Sequence, residues 1–250
     1  MRLRLLRHAT LVVEFAGRKL LIDPMLGAPG TMPAIENSPH PRPNPLAPLP
    51  AAVPEIVQDL DAVLITHTHR DHWDDAATRE LPKNVPLLCQ PEDETKLRGQ
   101  GFTRVQPLQT GLIWNALEVT RTGGQHGTGE IGRKMAPVSG FVLRGPGEDA
   151  LYIAGDTIWC SEVQQAIQQF RPAAIVVNTG AARFLEGDPI TMTAADVVAV
   201  CRAAPEAKVV AVHMEAINHC LLTRQQLATE AQNAGVGPQV LIPGDGDWVG

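Results

Sequence analysis

The stretch Thr66-His67-Thr68-His69-Arg70-Asp71-His72-Trp73-Asp74 holds four side chains able to bind a metal, His67, His69, Asp71 and His72, within six residues. The chain has eight histidines in 250 residues, so three in six positions is not what a random polar loop supplies. The run before them, Ala62 to Thr66, is apolar and β-branched and reads as a buried strand. A strand end fixes the backbone, and the loop after it can turn imidazoles and a carboxylate toward one point. Imidazoles at i and i+2, with Asp and His at i+4 and i+5, are too many donors for one catalytic ion and suit two neighbouring ions.

Two coordination spheres need donors from elsewhere in the chain. The other histidines are His8, His40, His126, His213 and His219. His126 lies in Gly124-Gln125-His126-Gly127, where the backbone can bend. His213 closes the run Val209 to Val212, and Asp156 closes Leu151 to Ala154 behind Gly155. All three share with His67 a place at the end of a strand.

The elements that must position these groups are short. Strands are expected at Leu11 to Phe15, Lys19 to Ile22, Ala62 to Thr66, Leu117 to Thr120, Gly140 to Leu143, Leu151 to Ala154, Ala173 to Val177, Val209 to Val212 and Val240 to Ile242. Helices are expected at Ser161 to Phe170 with Ser161 as N-cap, Ala194 to Ala203 with Thr193 and Asp196 as a capping box, and Arg224 to Asn233 with Thr223 and Gln226 likewise. Interleaved strands and helices predict sheets covered by helices. The chain also echoes itself. Lys19 to Pro24 resembles Leu151 to Asp156, a strand ending in Asp, and Asp61 to Thr66 resembles Pro172 to Val177. Between Pro29 and Pro54 lie nine prolines, which excludes a helix or an inner strand and predicts a functional loop at the site mouth or against a neighbouring subunit.

At this length the chain can bury a full core without a disulfide or a structural metal, and it reads as a single domain over residues 1–250. The net charge of -6 disfavours a general nucleic-acid grip. Cys89, Cys160, Cys201 and Cys220 form no CxxC pair and read as reduced thiols. No apolar run is long enough for a signal peptide at the start or for a membrane helix. The expectation is a cytoplasmic protein without a membrane partner; homo-oligomers are compatible with it.

The HxHxDH pattern after a strand resembles the signature of the metallo-β-lactamase superfamily. Leu21-Ile22-Asp23-Pro24, Gly124 to Gly127, Ala154-Gly155-Asp156-Thr157 and Val212-His213 resemble its branch of ascorbate-phosphate lactonases and related hydrolases. The resemblance runs from about His8 to the last strand. It implies an α/β fold, an αββα sandwich of two mixed sheets flanked by helices. It implies one ion on His67, His69 and His126, a second on Asp71, His72 and His213, and Asp156 bridging them. It also implies a His near the site at position 8. The donor set accepts Zn or Mn, and Fe is compatible. The implied reaction is attack by a hydroxide held between two metal ions, with Asp71 orienting the water and shuttling its proton.

The substrate expected is a small ester or lactone, anionic because two ions, two carboxylates and a hydroxide leave the site cationic. Asp23 is a candidate acceptor for a ligand imidazole. Asn178 to Arg183 is a candidate anion cradle with Arg183 as its bidentate anchor. Glu215, Asn218 and His219 are candidate pocket residues, and Trp73 and Trp159 read as packing walls. Two other readings stand beside the hydrolase: a phosphodiesterase, and an iron-dependent oxidoreductase of the same superfamily. Flavodiiron relatives carry a carboxylate where His69 stands and need a flavin domain, and no such domain is found in these 250 residues.

Overall fold

The computed structural model describes residues 1–250. Strands β1 (Arg2–Arg7), β2 (Thr10–Phe15), β3 (Arg18–Ile22), β4 (Ala62–Ile65), β5 (Leu87–Cys89), β6 (Val105–Pro107) and β14 (Trp248–Val249) form one sheet, in the order β14-β1-β2-β3-β4-β5-β6. Strands β7 (Gly111–Trp114), β8 (Leu117–Thr122), β9 (Gly140–Gly145), β10 (Glu148–Ile153), β11 (Ala174–Asn178), β12 (Lys208–Val212) and β13 (Val240–Leu241) form the other, in the order β13-β12-β11-β10-β9-β8-β7. Both sheets are mixed. β1, β2 and β3 pair antiparallel and β3 to β6 parallel. In the second half β7 to β10 pair antiparallel and β10 to β13 parallel.

The switch from antiparallel to parallel therefore falls on β3 in one half and on β10 in the other. These are the strands that precede Asp23 and Asp156, so the echo read from the sequence corresponds to equivalent places in the topology. β4 and β11, which follow, are the second pair of the echo.

Alternation along the strands divides the core. Phe141, Leu143, Leu151 and Ile153 pack between the sheets with Leu5, Leu11, Phe15 and Leu64. Val142, Tyr152, Ile175 and Val177 face outward under α5 (Ser161–Phe170), α6 (Ala194–Ala203) and α7 (Arg224–Asn233). On the opposite outer face Val63, Ile65 and Leu87 pack under α1 (Val53–Val57), α2 (Asp75–Glu80) and α3 (Glu94–Gly99). Strands buried on both faces read as continuous apolar runs. The architecture is the expected αββα sandwich.

Both expected capping boxes form, Thr193 with Asp196 and Thr223 with Gln226. The cap expected at Ser161 does not. Cys160 is the N-cap residue, and the Ser161 hydroxyl bonds the adjacent Glu162 carboxylate at 2.9 Å instead of a backbone N–H. α4 (Gly129–Met135) has no buried residue and so carries no apolar stripe to find in sequence. β1 also went unread, although Arg2-Leu3-Arg4-Leu5 alternates with period two.

The proline-rich segment is irregular but tied down. Arg7, fully buried, donates to the carbonyls of Met25, Gly27 and Ala47 and so clasps both ends of it. Burial pulls this guanidinium down to about 10, against the opposing pull of Asp74 and Asp245, and leaves it charged at neutral pH. A Met32–Asn44 bridge closes the segment on itself.

Candidate metal centre

The sequence-predicted ligands converge where strand ends of both sheets meet. His67 and His69 follow β4, His126 follows β8, Asp156 follows β10 and His213 follows β12. The donor atoms form three groups, each within 4.8 Å: His67, His69 and His126; His67, His72 and Asp156; and His8, Asp71, His72 and His213. Asp156 lies between the other donors, with Oδ2 3.8 Å from His67 Nε2, 3.2 Å from His72 Nε2 and 3.4 Å from His126 Nε2. Its Oδ1 is 3.2 Å from His213 Nε2.

The imidazoles are aimed by partners on their far side. His72 Nδ1 is 2.8 Å from Asp23 Oδ2, His67 Nδ1 is 3.0 Å from Thr66 Oγ1, and His126 Nδ1 is 2.8 Å from the Ile190 carbonyl. His213 Nδ1 lies 3.6 Å from Cys220 Sγ. With Nδ1 occupied, each ring turns Nε2 to the common centre, the orientation that outer partners impose on metal-binding histidines. Asp23 also accepts from the Thr66 amide and hydroxyl, both at 2.7 Å, so it fixes the end of β4 as well as His72. In the other half Asp156 Oδ1 accepts from Asn178 Nδ2 at 2.7 Å.

Three of the residues, His8, Asp23 and His213, have positive φ, of 59°, 43° and 72°. Left-handed backbone is costly for a side chain with a Cβ, and its concentration here marks a constrained site. Gly155 (φ 69°) turns the chain into Asp156 against the Ser139 carbonyl and the Thr66 side chain, where a Cβ would collide.

The electrostatics fit cations. Burial would raise the Asp156 and Asp71 carboxyls, but the surrounding histidines, His213 and His72 foremost, outweigh it and hold both well below the usual range. Burial would lower His72, but Asp156, Asp23 and Asp71 together push it well above its ordinary value. His67 and His213 are driven well below theirs, by burial first. His67 Nε2 is buried with no hydrogen-bond partner. An orphaned ring nitrogen that faces a ring of imidazoles and carboxylates is the donor arrangement a divalent ion satisfies.

The other candidates divide. Asp23 accepts from the His72 imidazole within the cluster. His8 is fully buried with Nε2 3.1 Å from Asp71 Oδ2. His219 is buried nearby, lowered to about 4, chiefly by burial. Asn218 does not face a substrate. Its side chain binds the Ile35 amide, Asn44, Ser38 and the Pro39 carbonyl and pins the proline-rich segment. Glu215 is turned outward onto Arg224, at 2.6 Å. Arg183 donates to the Gly187 carbonyl of its own loop at 3.1 Å, and Asn178 is engaged with Asp156, so the cradle expected at 178–183 does not form. Trp73 packs on Phe102, as a wall. Thr66 and Cys220 were missed; each bonds a neighbour through a contact that sequence spacing does not reveal.

A cavity of about 220 Å³ opens beside Asp71. Met32, Pro33, Ala34, Ile35 and Ile217 give it an apolar wall, and Asn44, Glu36 and Arg70 line the rest. The proline-rich segment thus borders the mouth of the site.

Comparison with known proteins agrees with this geometry. Residues 18–214 match a family model described as Beta-lactamase superfamily domain. The UPF0173 protein YddR of Bacillus subtilis (strain 168) is 38% identical over 250 residues, 99% of this chain and 98% of that protein. The crystal structure of an isothiocyanate hydrolase from Delia radicum gut bacteria is 37% identical, with a TM-score of 0.95 over 100% of this chain and 99% of that one. The structure of a possible metal-dependent hydrolase from Veillonella parvula DSM 2008 is 31% identical, with a TM-score of 0.96 over 100% and 98%. The chain belongs to the metallo-β-lactamase superfamily and, within it, to the UPF0173 metal-dependent hydrolases.

Proposed function

We propose that the protein hydrolyses small, neutral, apolar isothiocyanates at a two-ion centre. The full-length likeness to an isothiocyanate hydrolase carries this reading. In net terms R–N=C=S and water give R–NH2 and carbonyl sulfide: oxygen bonds to the central carbon, the C–N bond breaks, and nitrogen leaves with two protons as the amine. His67, His69 and His126 would hold one ion, Asp71, His72 and His213 the other, with Asp156 between. The ions, Zn, Mn or Fe by donor type, would supply Lewis acidity and acidify a water. Asp71, which lines the cavity, would orient the attacking water and accept its proton. Met32, Ile35 and Ile217 receive the substituent R.

The expected anionic ester or lactone shares the electrophilic carbon but not the fit. Arg183 donates to Gly187, and the cavity sets two carboxylates, Glu36 and Asp71, against the one guanidinium of Arg70. Arg183→Ala should accordingly leave KM for charged and neutral substrates alike.

The test is amine release from benzyl isothiocyanate by metal-quantified protein, beside a lactone, a phosphodiester and a carboxylate-bearing ester. Turnover of the isothiocyanate that chelator abolishes and added metal restores is expected. Turnover of the lactone or the phosphodiester with none of the isothiocyanate would overturn the reading.

A further inference from the structure

His8 stands among the donors of the second cluster, with Asp71, His72 and His213. Proximity allows two roles: a further ligand, or a hydrogen-bond donor to a ligand. The ring nitrogens separate them. His67, His72 and His126 each have Nδ1 against an oxygen that must accept, so Nδ1 carries a proton and Nε2 is the nitrogen left for an ion; His213 Nδ1 lies against the Cys220 sulfur. Nδ1 of His8 is buried and has no partner.

If His8 bound an ion through Nε2, its proton would sit on Nδ1, a sealed donor without an acceptor. Orphaned buried N–H groups are rarer in folded proteins than under-used acceptors. The other tautomer leaves only a lone pair at Nδ1 and places N–H at Nε2, 3.1 Å from Asp71 Oδ2, where a carboxylate can only accept.

The backbone holds this contact in place. The His8 carbonyl accepts from the His213 amide at 2.9 Å, and the two rings lie 3.5 Å apart, tilted by 34°. Asp71 Oδ2 is thereby set 3.8 Å from His72 Nε2 and 3.7 Å from His213 Nε2.

We propose that His8 is a positioning residue and not a ligand: it donates Nε2–H to Asp71 and fixes the rotation of that carboxylate toward the second ion. The proposal rests on the two-ion reading and adds to it. Protein labelled with 15N at histidine and loaded with zinc tests it directly. The long-range 1H–15N spectrum should show His8 protonated at Nε2 and His67, His72 and His126 at Nδ1, the His8 signals being those lost in His8→Gln. A His8 ring protonated at Nδ1, with Nε2 shifted as in the ligand rings, would overturn it.

Cobalt titration supplies a second measurement. His8→Ala should still take two ions, with the second bound roughly 10- to 100-fold more weakly. His8→Gln, which keeps an N–H donor, should recover most of the loss. An unchanged affinity in His8→Ala would also end the proposal. Wild-type protein that takes up one ion would show, before any variant is compared, that the two-ion reading itself has failed.

Discussion

Asp23 does not line the cavity beside Asp71, yet it holds the end of β4 and one cluster imidazole at once. Asp23→Asn keeps the shape but weakens the acceptor for His72. Metal affinity should fall by roughly 10- to 100-fold, and the metal-free protein should lose on the order of 1–3 kcal/mol, because the amide NH2 meets the Thr66 or His72 donors that the carboxylate accepted. Competition against a chelator measures the first and thermal unfolding the second; affinity equal to wild type would remove Asp23 from the site. Protonation gives a further expectation. In the metal-free chain His72 is raised by three carboxylates and is charged at neutral pH, while Asp71 and Asp156 stay ionised and His67 and His213 stay neutral. An entering ion must displace the His72 proton. Binding should release protons at pH 7, at least about one per loaded chain, and tighten as pH rises. Calorimetry in buffers of different ionisation enthalpy reads this number, and zero release would contradict it.

The proline-rich segment is held as an element by two devices, the Arg7 clasp at its base and the Asn44–Asn218 pair across it. Asn218→Ala should remove several buried hydrogen bonds and cost on the order of 1–3 kcal/mol. Metal content should be unchanged, cleavage between 33 and 43 in limited proteolysis should speed up, and KM for a bulky substrate should rise more than for a small one. Protection equal to wild type would mean the segment holds itself. Sequence reveals its elements in proportion to their periodicity. The long runs around β4, β10, β11 and β12 announce themselves, and so do the two capping boxes. β5 and β6, of three residues each, and α1 to α4, of five to seven, are shorter than the patterns used to find them. The HxHxDH loop is legible because its donors are adjacent in sequence. Asn178, Arg7 and Cys220 are not, because their partners lie across the fold. Arg183 and Glu215 misled because an exposed charge beside a site motif looks the same in sequence whichever way it turns.

At the scale of the whole molecule, the inter-sheet core draws on both halves, with Phe15 and Leu64 from one and Phe141 and Ile153 from the other. Each half packs a core under its own helices, but the core between the sheets belongs to both. Phe141→Ala should cost about 3–5 kcal/mol and lower the stability of both halves together. Fluorescence of Trp73, in the first half, with Trp114, Trp159 and Trp248 replaced by Phe, and far-ultraviolet dichroism of the whole chain should lose structure in one coincident denaturant transition. Separate midpoints would show that the halves unfold independently.

The equivalence of the halves has a consequence for what an ion does to the molecule. His67, His69, Asp71 and His72 come from the first sheet's half, and His126, Asp156 and His213 from the second. Either half alone carries an incomplete set, so an ion held by donors of both would act as a rivet through the seam. Its binding energy and the cohesion of the seam are one quantity seen from two sides. Loading should therefore slow any shearing of one sheet past the other, and two fragments cut between β6 and β7 should reassociate more tightly with zinc than without.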